Sequence, residues 1–307
     1  LGLARWLTAP ANPLAGRVAV NHLWQMLFGQ GIVRTTEDFG LQGERPSHPE
    51  LLDWLAVDLV KHGWDLKRTL KLIVMSRTYR QDSAVSAALL AKDPENRLLA
   101  RGARFRLPSW MIRDGALRSA GLFNPVLGGP PVRPYQPDGV WEELFMGRFK
   151  YEASEGPAQY RRTLYAFWRR SIAPTFLFDS AQRRSCEVRT GRTNTPLQAL
   201  TLQNDATYLE SSQAIAAELL REGGDATRIQ SLFRRVLSRE ANDQEAALLG
   251  RTLMKARGHY RAQPAAAAQF LRVGQRVHAD GADLSELAAW TVVASLTLNL
   301  DEAITRE

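Results

Sequence analysis

Apolar residues recur at helical spacing through the first and last thirds of the chain. In the first third, helices are predicted to begin near Asn12-Pro13, at Ser47, at Asp65 and at Ser109. Ser47 with Glu50 three residues later has the pattern of a capping box. In the last third, the same spacing predicts helices over residues 206–221, 227–238, 244–260, 264–276 and 284–299.

Residues 124–156 have a different composition. Prolines and glycines recur there too often for a helix, so the segment is predicted to be loop with room for short strands. Aromatic residues interrupt it, namely Tyr135, Trp141, Phe145, Phe149 and Tyr151. Such residues either pin a long loop to the core or stack on a ligand, and the sequence leaves both interpretations open.

These patterns predict a mainly α fold. We expect a multi-helix bundle with a long Pro/Gly-rich irregular insertion in which short strands can occur. Three regions are distinguished: an N-terminal helical region over 1–123, a Pro/Gly- and Arg-rich insertion and connecting segment over 124–192, and a C-terminal helical region over 193–307. The three are expected to form one compact domain.

The composition excludes several classes of protein and of metal or haem site. The 307 residues are 45% hydrophobic and 23% charged, and no apolar run reaches the roughly 18 residues of a membrane span. The chain begins with Leu1 and without a signal-peptide pattern, so we expect it to be part of a longer polypeptide. Its single cysteine excludes an internal disulfide, a four-thiolate zinc site and a Cys-x-x-Cys-His haem attachment.

Basic residues are concentrated in one window. The net charge is +8, and residues 161–192 hold eight arginines against two acidic residues. The planar fork of arginine suits bidentate contacts with carboxylate, sulfate or phosphate. This predicts an anionic partner, such as an acidic or sulfated glycan or an acidic partner domain, unless the arginines form internal ion pairs.

A well-specified helix start follows the arginines. Thr195-Pro196-Leu197-Gln198 is a capping box, and backbone N–H groups at a helix start beside arginines favour anion binding. The alternative is that these residues only satisfy the helix end. The ligand-binding candidates are Arg183, Arg184, Arg189, Arg192, Thr193, Asn194, Thr195 and Gln198.

Four residues are candidates for catalysis. Asp38 and His48, with Glu37, have the chemistry for acid/base work or for an oxygen and nitrogen metal site, although His48 also lies at a helix start. Asp179 is suited to act as a base or to pair with an arginine. Cys186 lies among arginines that would favour its thiolate, while a buried, inert cysteine is the alternative. No metal site is predicted.

Several motifs resemble a known family, the planctomycete-type domain of unknown function 1553. They are Arg17-Val18-Ala19-Val20-Asn21-His22-Leu23-Trp24, Phe28-Gly29-Gln30-Gly31-Ile32-Val33, Asp38-Phe39-Gly40, Pro46-Ser47-His48-Pro49-Glu50-Leu51-Leu52-Asp53-Trp54-Leu55, Gly128-Gly129-Pro130, Phe178-Asp179, Thr193-Asn194-Thr195-Pro196-Leu197-Gln198-Ala199-Leu200 and Leu298-Asn299-Leu300-Asp301-Glu302. They occur in order along essentially the whole chain, which makes the resemblance specific.

The resemblance implies a context. Members of that family usually form the C-terminal part of large exported bacterial proteins, often with a cytochrome c domain upstream. A location in the periplasm or cell envelope is therefore implied, as is covalent haem c in an upstream domain. No cofactor is expected within this chain, since its histidines follow no Cys-x-x-Cys, and His22 or His48 on an apolar helix face is typical of a core histidine. The family brings no established activity.

Three classes of function follow. The first is a module that binds an anionic ligand or partner. The second is a catalytic domain, an oxidoreductase or hydrolase acting on an envelope or polysaccharide substrate, with its site where the Asp38 and His48 region meets residues 179–198. A nucleic-acid binder is the third, and it is disfavoured because basic and aromatic residues do not interleave on a known nucleic-acid fold.

Overall fold

The fold is mainly helical, as the sequence predicts. The computed structural model describes residues 1–169, 172–179, 188, 191–276 and 283–306. Within these ranges it contains fourteen α-helices and one two-stranded sheet, formed by β1 (Phe105–Arg106) and β2 (Thr305–Arg306). No described helix is long and apolar enough to cross a membrane.

Backbone contacts divide the described residues into two compact units. Unit 1 consists of residues 1–105 with Val188, Thr305 and Arg306, and unit 2 of the described residues in 106–179 and 191–304. The helices of unit 1 are α1 (Gly2–Leu7), α2 (Ala15–Phe28), α3 (Pro49–Lys61), α4 (Leu66–Val74) and α5 (Ala87–Lys92). The expected arrangement of three regions in one domain stays a prediction.

The core of unit 1 lies where α2 packs on α3. Val20 and Trp24 of α2 are buried against Leu55 and Leu59 of α3. Trp24 also stacks on Phe28, with 4.0 Å between ring centroids. The i, i+4 spacing of both pairs places them on one helix face, which is the amphipathic pattern read from the sequence.

One helix start in unit 1 is capped as predicted and two are not. Asp65 accepts a hydrogen bond from Arg68 N and caps α4. Asn12 accepts hydrogen bonds from the N–H groups of residues 14 and 15, but Leu14 holds the cap position of α2 and has no side-chain cap. The capping box predicted at Ser47 is wrong. Here His48 holds the cap position with no side-chain cap, and the Ser47 hydroxyl lies 3.0 Å from His48 Nδ1 and 3.3 Å from Ile32 O.

Unit 2 is built around α9. Its helices are α6 (Ser109–Ser119), α7 (Val140–Leu144), α8 (Pro196–Asn204), α9 (Ala206–Leu219), α10 (Asp225–Leu237), α11 (Asp243–Ala262), α12 (Pro264–Phe270), α13 (Leu284–Leu298) and α14 (Asp301–Ile304). Nearly every residue of α9 is buried, so this helix forms the centre of the bundle. The fully buried Ile215 of α9 and Trp290 and Val293 of α13 belong to one apolar core.

The Pro/Gly-rich insertion is mainly irregular, as predicted, but it contains the five-residue helix α7, which the sequence did not predict. Apart from α7, its described residues form two short 3₁₀ helices, Gly156–Ala158 and Thr163–Tyr165, and isolated β-bridges. Trp141 of α7 is 1% exposed and lies 5.0 to 5.8 Å, centroid to centroid, from four other rings. These aromatic residues therefore form the insertion's own small core.

Two arginines tie the insertion to its surroundings. Arg113 of α6 is 1% exposed and donates to the carbonyls of Gln159 and Arg161 at 2.9 and 3.0 Å. Arg161, which belongs to the basic window, donates to Pro130 O at 2.9 Å and lies over the Tyr165 ring. At least this part of the arginine window is structural, because buried guanidinium groups need acceptors.

One carboxyl group is fully buried in α9. Glu210 accepts hydrogen bonds from the hydroxyls of Tyr135 and Tyr160 and from the backbone N–H of Gln275, each at 2.9 Å. Gly274, whose φ is +88°, passes close by. A Cβ at Gly274 would lie 2.7 Å from Glu210 Cδ, so only glycine fits this approach.

A further ionic cluster joins three helices of unit 2. Arg257 of α11 donates to both carboxylate oxygens of Asp225 at 2.9 and 3.0 Å, and to Glu286 of α13 at 2.5 and 2.7 Å. Its side chain is 19% exposed, so these contacts are partly screened from water.

We expect Arg257→Ala to lower the unfolding free energy by about 2–3 kcal/mol, because it leaves two carboxylates without their main partner. Arg221→Ala removes the same charge from a side chain that is 75% exposed and, among the described residues, pairs only with Glu218, and it is expected to cost under about 0.5 kcal/mol. Urea unfolding of both variants checks the prediction, and equal losses would contradict it.

Candidate functional site

The start of α8 is the capping box that the sequence predicts. Thr195 Oγ1 accepts from Gln198 N at 3.3 Å, and Gln198 Oε1 accepts from Thr195 N at 3.1 Å. Gln198 Nε2 also donates to Thr193 Oγ1 at 2.7 Å. Three of the predicted ligand-binding side chains are therefore used to satisfy one another.

Asn194 makes a different contact. Its side chain is exposed, and its Oδ1 accepts a hydrogen bond of 2.7 Å from Nη1 of Arg106. Arg106 precedes α6, and the chain is fixed there by a hydrogen bond of 2.8 Å from Leu107 N to Ile304 O. Of the predicted motif, Asn194 is thus the residue that reaches out to an arginine.

The guanidinium of Arg106 is incompletely paired. Its Nε and Nη2 atoms are shielded from solvent and have no hydrogen-bond partner among the described residues. These two nitrogens form one edge of the guanidinium, the edge that binds a carboxylate, sulfate or phosphate with two parallel hydrogen bonds. The Phe178 ring lies 5.7 Å from the guanidinium carbon and covers part of the group.

Burial and charge act on Arg106 in opposite directions. Burial lowers the pKa of its guanidinium from the usual value, while the negative charge of Asp179 raises it. An arginine stays charged under either influence. The site is therefore a positive group in partly dry surroundings, where an anion interacts more strongly than in water.

Asp179 is already engaged by the start of α6. Its carboxylate accepts from the backbone N–H of Ser109 at 2.9 Å and from the Ser109 hydroxyl. The prediction that Ser109 caps α6 is wrong, because Pro108 holds the cap position and Ser109 is the first helical residue. The cap is instead supplied by Asp179, through contacts that fix the carboxylate.

Tyr208 of α9 adds a buried hydroxyl to the same surroundings. Its side chain is 2% exposed, and its oxygen has no hydrogen-bond partner within the described part of the chain. Burial raises the pKa of this phenol, as does Asp205, while Arg113 and Arg106 lower it. The Arg106 site, defined as Arg106, Asn194, Asp179 and Tyr208, thus holds several polar atoms that the protein leaves unsatisfied.

The candidates Glu37, Asp38 and His48 belong to unit 1. Asp38 in unit 1 accepts from Gly40 N at 2.7 Å and closes a turn, and no hydrogen bond joins it to the half-buried His48. Glu37 is exposed. Across the described ranges, no three His, Cys, Asp or Glu side chains are grouped as metal ligands would be.

Four predicted residues lie outside the described residues: Arg183, Arg184, Cys186 and Arg189. Arg192 is described and is half-buried four residues before α8. Their roles stay predictions.

Sequence reasoning missed Arg106 and Tyr208. Arg106 lies 88 residues before Asn194. It follows Arg101 and Arg104 in one short run, and the sequence does not set it apart from them. Tyr208 reads as an ordinary core position of an amphipathic helix. The local sequence does not distinguish either residue, because each is singled out by polar atoms that lack a hydrogen-bond partner among the described residues of the folded protein.

The fold and these contacts define a mainly helical domain with an incompletely paired arginine beside a capped helix. The chain belongs to the PSD1 family, described as "Protein of unknown function (DUF1553)", whose sequence model matches residues 1–253. The resemblance seen in the motifs is thereby confirmed. No curated protein and no solved structure matches the chain.

Proposed function

We propose that this domain binds an oxyanion, a carboxylate or sulfate group of an acidic glycan or of an acidic partner domain, at the Arg106 site. The observation that carries the proposal is the unpartnered Nε and Nη2 edge of Arg106. An oxyanion with two oxygens directed at this edge would supply both missing acceptors. Asn194 would orient the guanidinium by holding Nη1.

The other side of the Arg106 guanidinium, at Nη1, is already bonded to Asn194, which leaves the Nε and Nη2 edge for a ligand. With Nη1 held by Asn194 at 2.7 Å, the guanidinium plane cannot rotate freely. A fixed donor pair loses less entropy on binding than a mobile side chain does. The nearby Asp179 disfavours any anion, but its hydrogen bonds from Ser109 offset part of its charge.

The family's usual setting supports a further part of the proposal. The ligand would be met at the cell envelope, in a larger protein that carries a c-type cytochrome domain upstream. A catalytic domain is the alternative. It has less support, because each oxygen of Asp179 already accepts a hydrogen bond from Ser109.

We expect Arg106→Ala to abolish the site-specific part of the stabilisation by sulfate and glucuronate, beyond the general stabilising effect of sulfate, and Arg106→Lys to weaken binding about tenfold or more, since lysine keeps the charge but not the paired donors. Thermal shifts in sodium sulfate or glucuronate, against sodium chloride at matched ionic strength, measure the effect. Asn194→Ala is expected to weaken binding by a smaller factor.

Arg221→Ala is the matched control, because it removes one positive charge from an exposed position of the same unit. Its sulfate-dependent shift should equal that of the unaltered protein. If Arg106→Ala and Arg221→Ala reduce the shift equally, sulfate acts through net charge and the proposed site is wrong. Binding of sulfate and glucuronate that is unchanged in Arg106→Ala would also show that the proposed site is wrong.

A further inference from the structure

A pocket of about 380 Å³ opens beside the start of α9, between the insertion and the junction of α8 with α9. Its walls include Tyr135, Gln136 and Pro137 from the insertion, and Leu200, Asn204 and Asp205 from the helices. A volume of this size is at the lower end of the range for small-molecule sites.

The pocket combines apolar surfaces with unsatisfied amide groups. Tyr135 and Pro137 provide an aromatic and an aliphatic ring, and the Tyr135 ring is held by its hydrogen bond of 2.9 Å to Glu210. Gln136 Nε2 is shielded from solvent and has no hydrogen-bond partner among the described residues, so it is an unpaired donor. Asn204 Nδ2 donates to Leu200 O at 2.8 Å, which leaves its Oδ1 as an acceptor for a ligand.

Charge excludes an anionic ligand from this pocket. Asp205 lines it, Glu210 lies behind the Tyr135 ring, and none of the described residues that line it is basic. A carboxylate or sulfate would meet repulsion here without a compensating cation. The pocket therefore differs in specificity from the Arg106 site.

We infer that this pocket binds a neutral pyranose sugar ring. Such a ring has an apolar face of C–H groups, which matches a fixed tyrosine ring and a proline. Its neighbouring hydroxyls each donate and accept, which matches an amide with both functions at Gln136 and the carboxamide oxygen of Asn204. The inference does not depend on oxyanion binding at Arg106.

Saturation-transfer NMR with a panel of neutral mono- and disaccharides tests it. Each neutral sugar is paired with its uronic acid, and with cyclohexanol as an apolar ligand of similar size. We expect at least one neutral sugar to bind, its uronic acid to bind at least fivefold more weakly, and Gln136→Leu to reduce its affinity at least tenfold.

Three variants make the result specific. Gln269→Leu makes the same replacement at an exposed position of α12 and is expected to leave affinity unchanged. Arg106→Ala should bind the sugar normally, which separates this pocket from the oxyanion site. Should Gln136→Leu fail to fold, Asn204→Ala, at an exposed position, is expected to give a loss of threefold or more.

Several results would overturn the inference. One is that no neutral sugar binds. A second is that the uronic acids bind as well as the neutral sugars. A third is that cyclohexanol binds as well as the sugars and binds more tightly to Gln136→Leu, which would show that the pocket is an apolar site. Loss of sugar binding in Arg106→Ala would place the sugar at the other site.

Discussion

Replacing Glu210 by alanine is expected to lower the unfolding free energy of unit 2 by about 3–5 kcal/mol. The reason is that three donors, the Tyr135 and Tyr160 hydroxyls and Gln275 N–H, lose their shared acceptor in a fully buried position. Hydrogen exchange of α9 amides in increasing urea measures the effect, since two compact units need not unfold together.

Glu218→Ala on the same helix is the matched control. Its side chain is 43% exposed and pairs with Arg221, so the expected loss is under about 0.5 kcal/mol. Glu210→Gln keeps one acceptor oxygen and is expected to cost about 1–2 kcal/mol. If Glu210→Ala costs no more than Glu218→Ala, the buried hydrogen bonds are not made in solution.

Gly274 gives an independent check on this geometry. A side chain at Gly274 is strained by its φ of +88° and would also collide with Glu210. In the Glu210→Ala background we expect the contacts with Cδ and Oε1 to be removed, while the 3.1 Å contact with Cβ and the backbone strain remain. In a double-mutant cycle, Gly274→Ala and Glu210→Ala should therefore be coupled by about 1 kcal/mol or more in the unfolding free energy.

Unit 2 is expected to lose stability as the pH rises from about 10 to about 12. Burial raises the pKa of Tyr151 to about 12, and burial together with Glu210 raises the pKa of Tyr160 to about 12. In the unfolded chain both phenols ionise near pH 10. Between these values the unfolded state has released protons that the folded state retains, so the unfolding free energy falls with pH.

The stabilisation is thus fully present below pH 10 and lost by pH 12, at about 1–2 kcal/mol per tyrosine after allowance for solvent screening of two partly exposed groups. Urea unfolding at a series of pH values measures it. The double variant Tyr151→Phe with Tyr160→Phe should reduce the slope by the contribution of these two residues, while other buried phenols such as Tyr208 keep theirs. Phenolate absorbance that develops near pH 10 in the folded protein and is lost in the double variant would contradict the prediction.

The helices could be predicted because their signals are local. Asp65 and Thr195 cap the helices that follow them, and each bonds to a backbone N–H three residues later. Ser47 and Ser109 are also cap residues by sequence, but the Ser109 hydroxyl donates to the distant Asp179 carboxylate, and the Ser47 hydroxyl contacts His48 Nδ1 and the distant Ile32 O. The local sequence does not show which other groups compete with the helix start for a serine hydroxyl.

The candidate site was predictable only in part, for the same reason. Asn194 was identified from its helix start, and its partner Arg106 could not be, since 88 residues separate them. The pocket beside Tyr135 was equally hidden. The sequence marks the aromatic residues of the insertion, while the structure separates Tyr135, which lines the pocket, from Trp141, which forms the insertion's core.

The cap of α6 has a kinetic consequence. Most helices acquire their cap from the adjoining residue, so nucleation and capping occur together. The first turn of α6 instead waits for Asp179, 70 residues away, and is complete only after the chain between Ser109 and Asp179 has closed into a loop. Loop closure depends weakly on length, at about 0.6 kcal/mol for each doubling. This part of the chain can therefore lengthen or shorten at modest cost, provided that Asp179 still returns to Ser109.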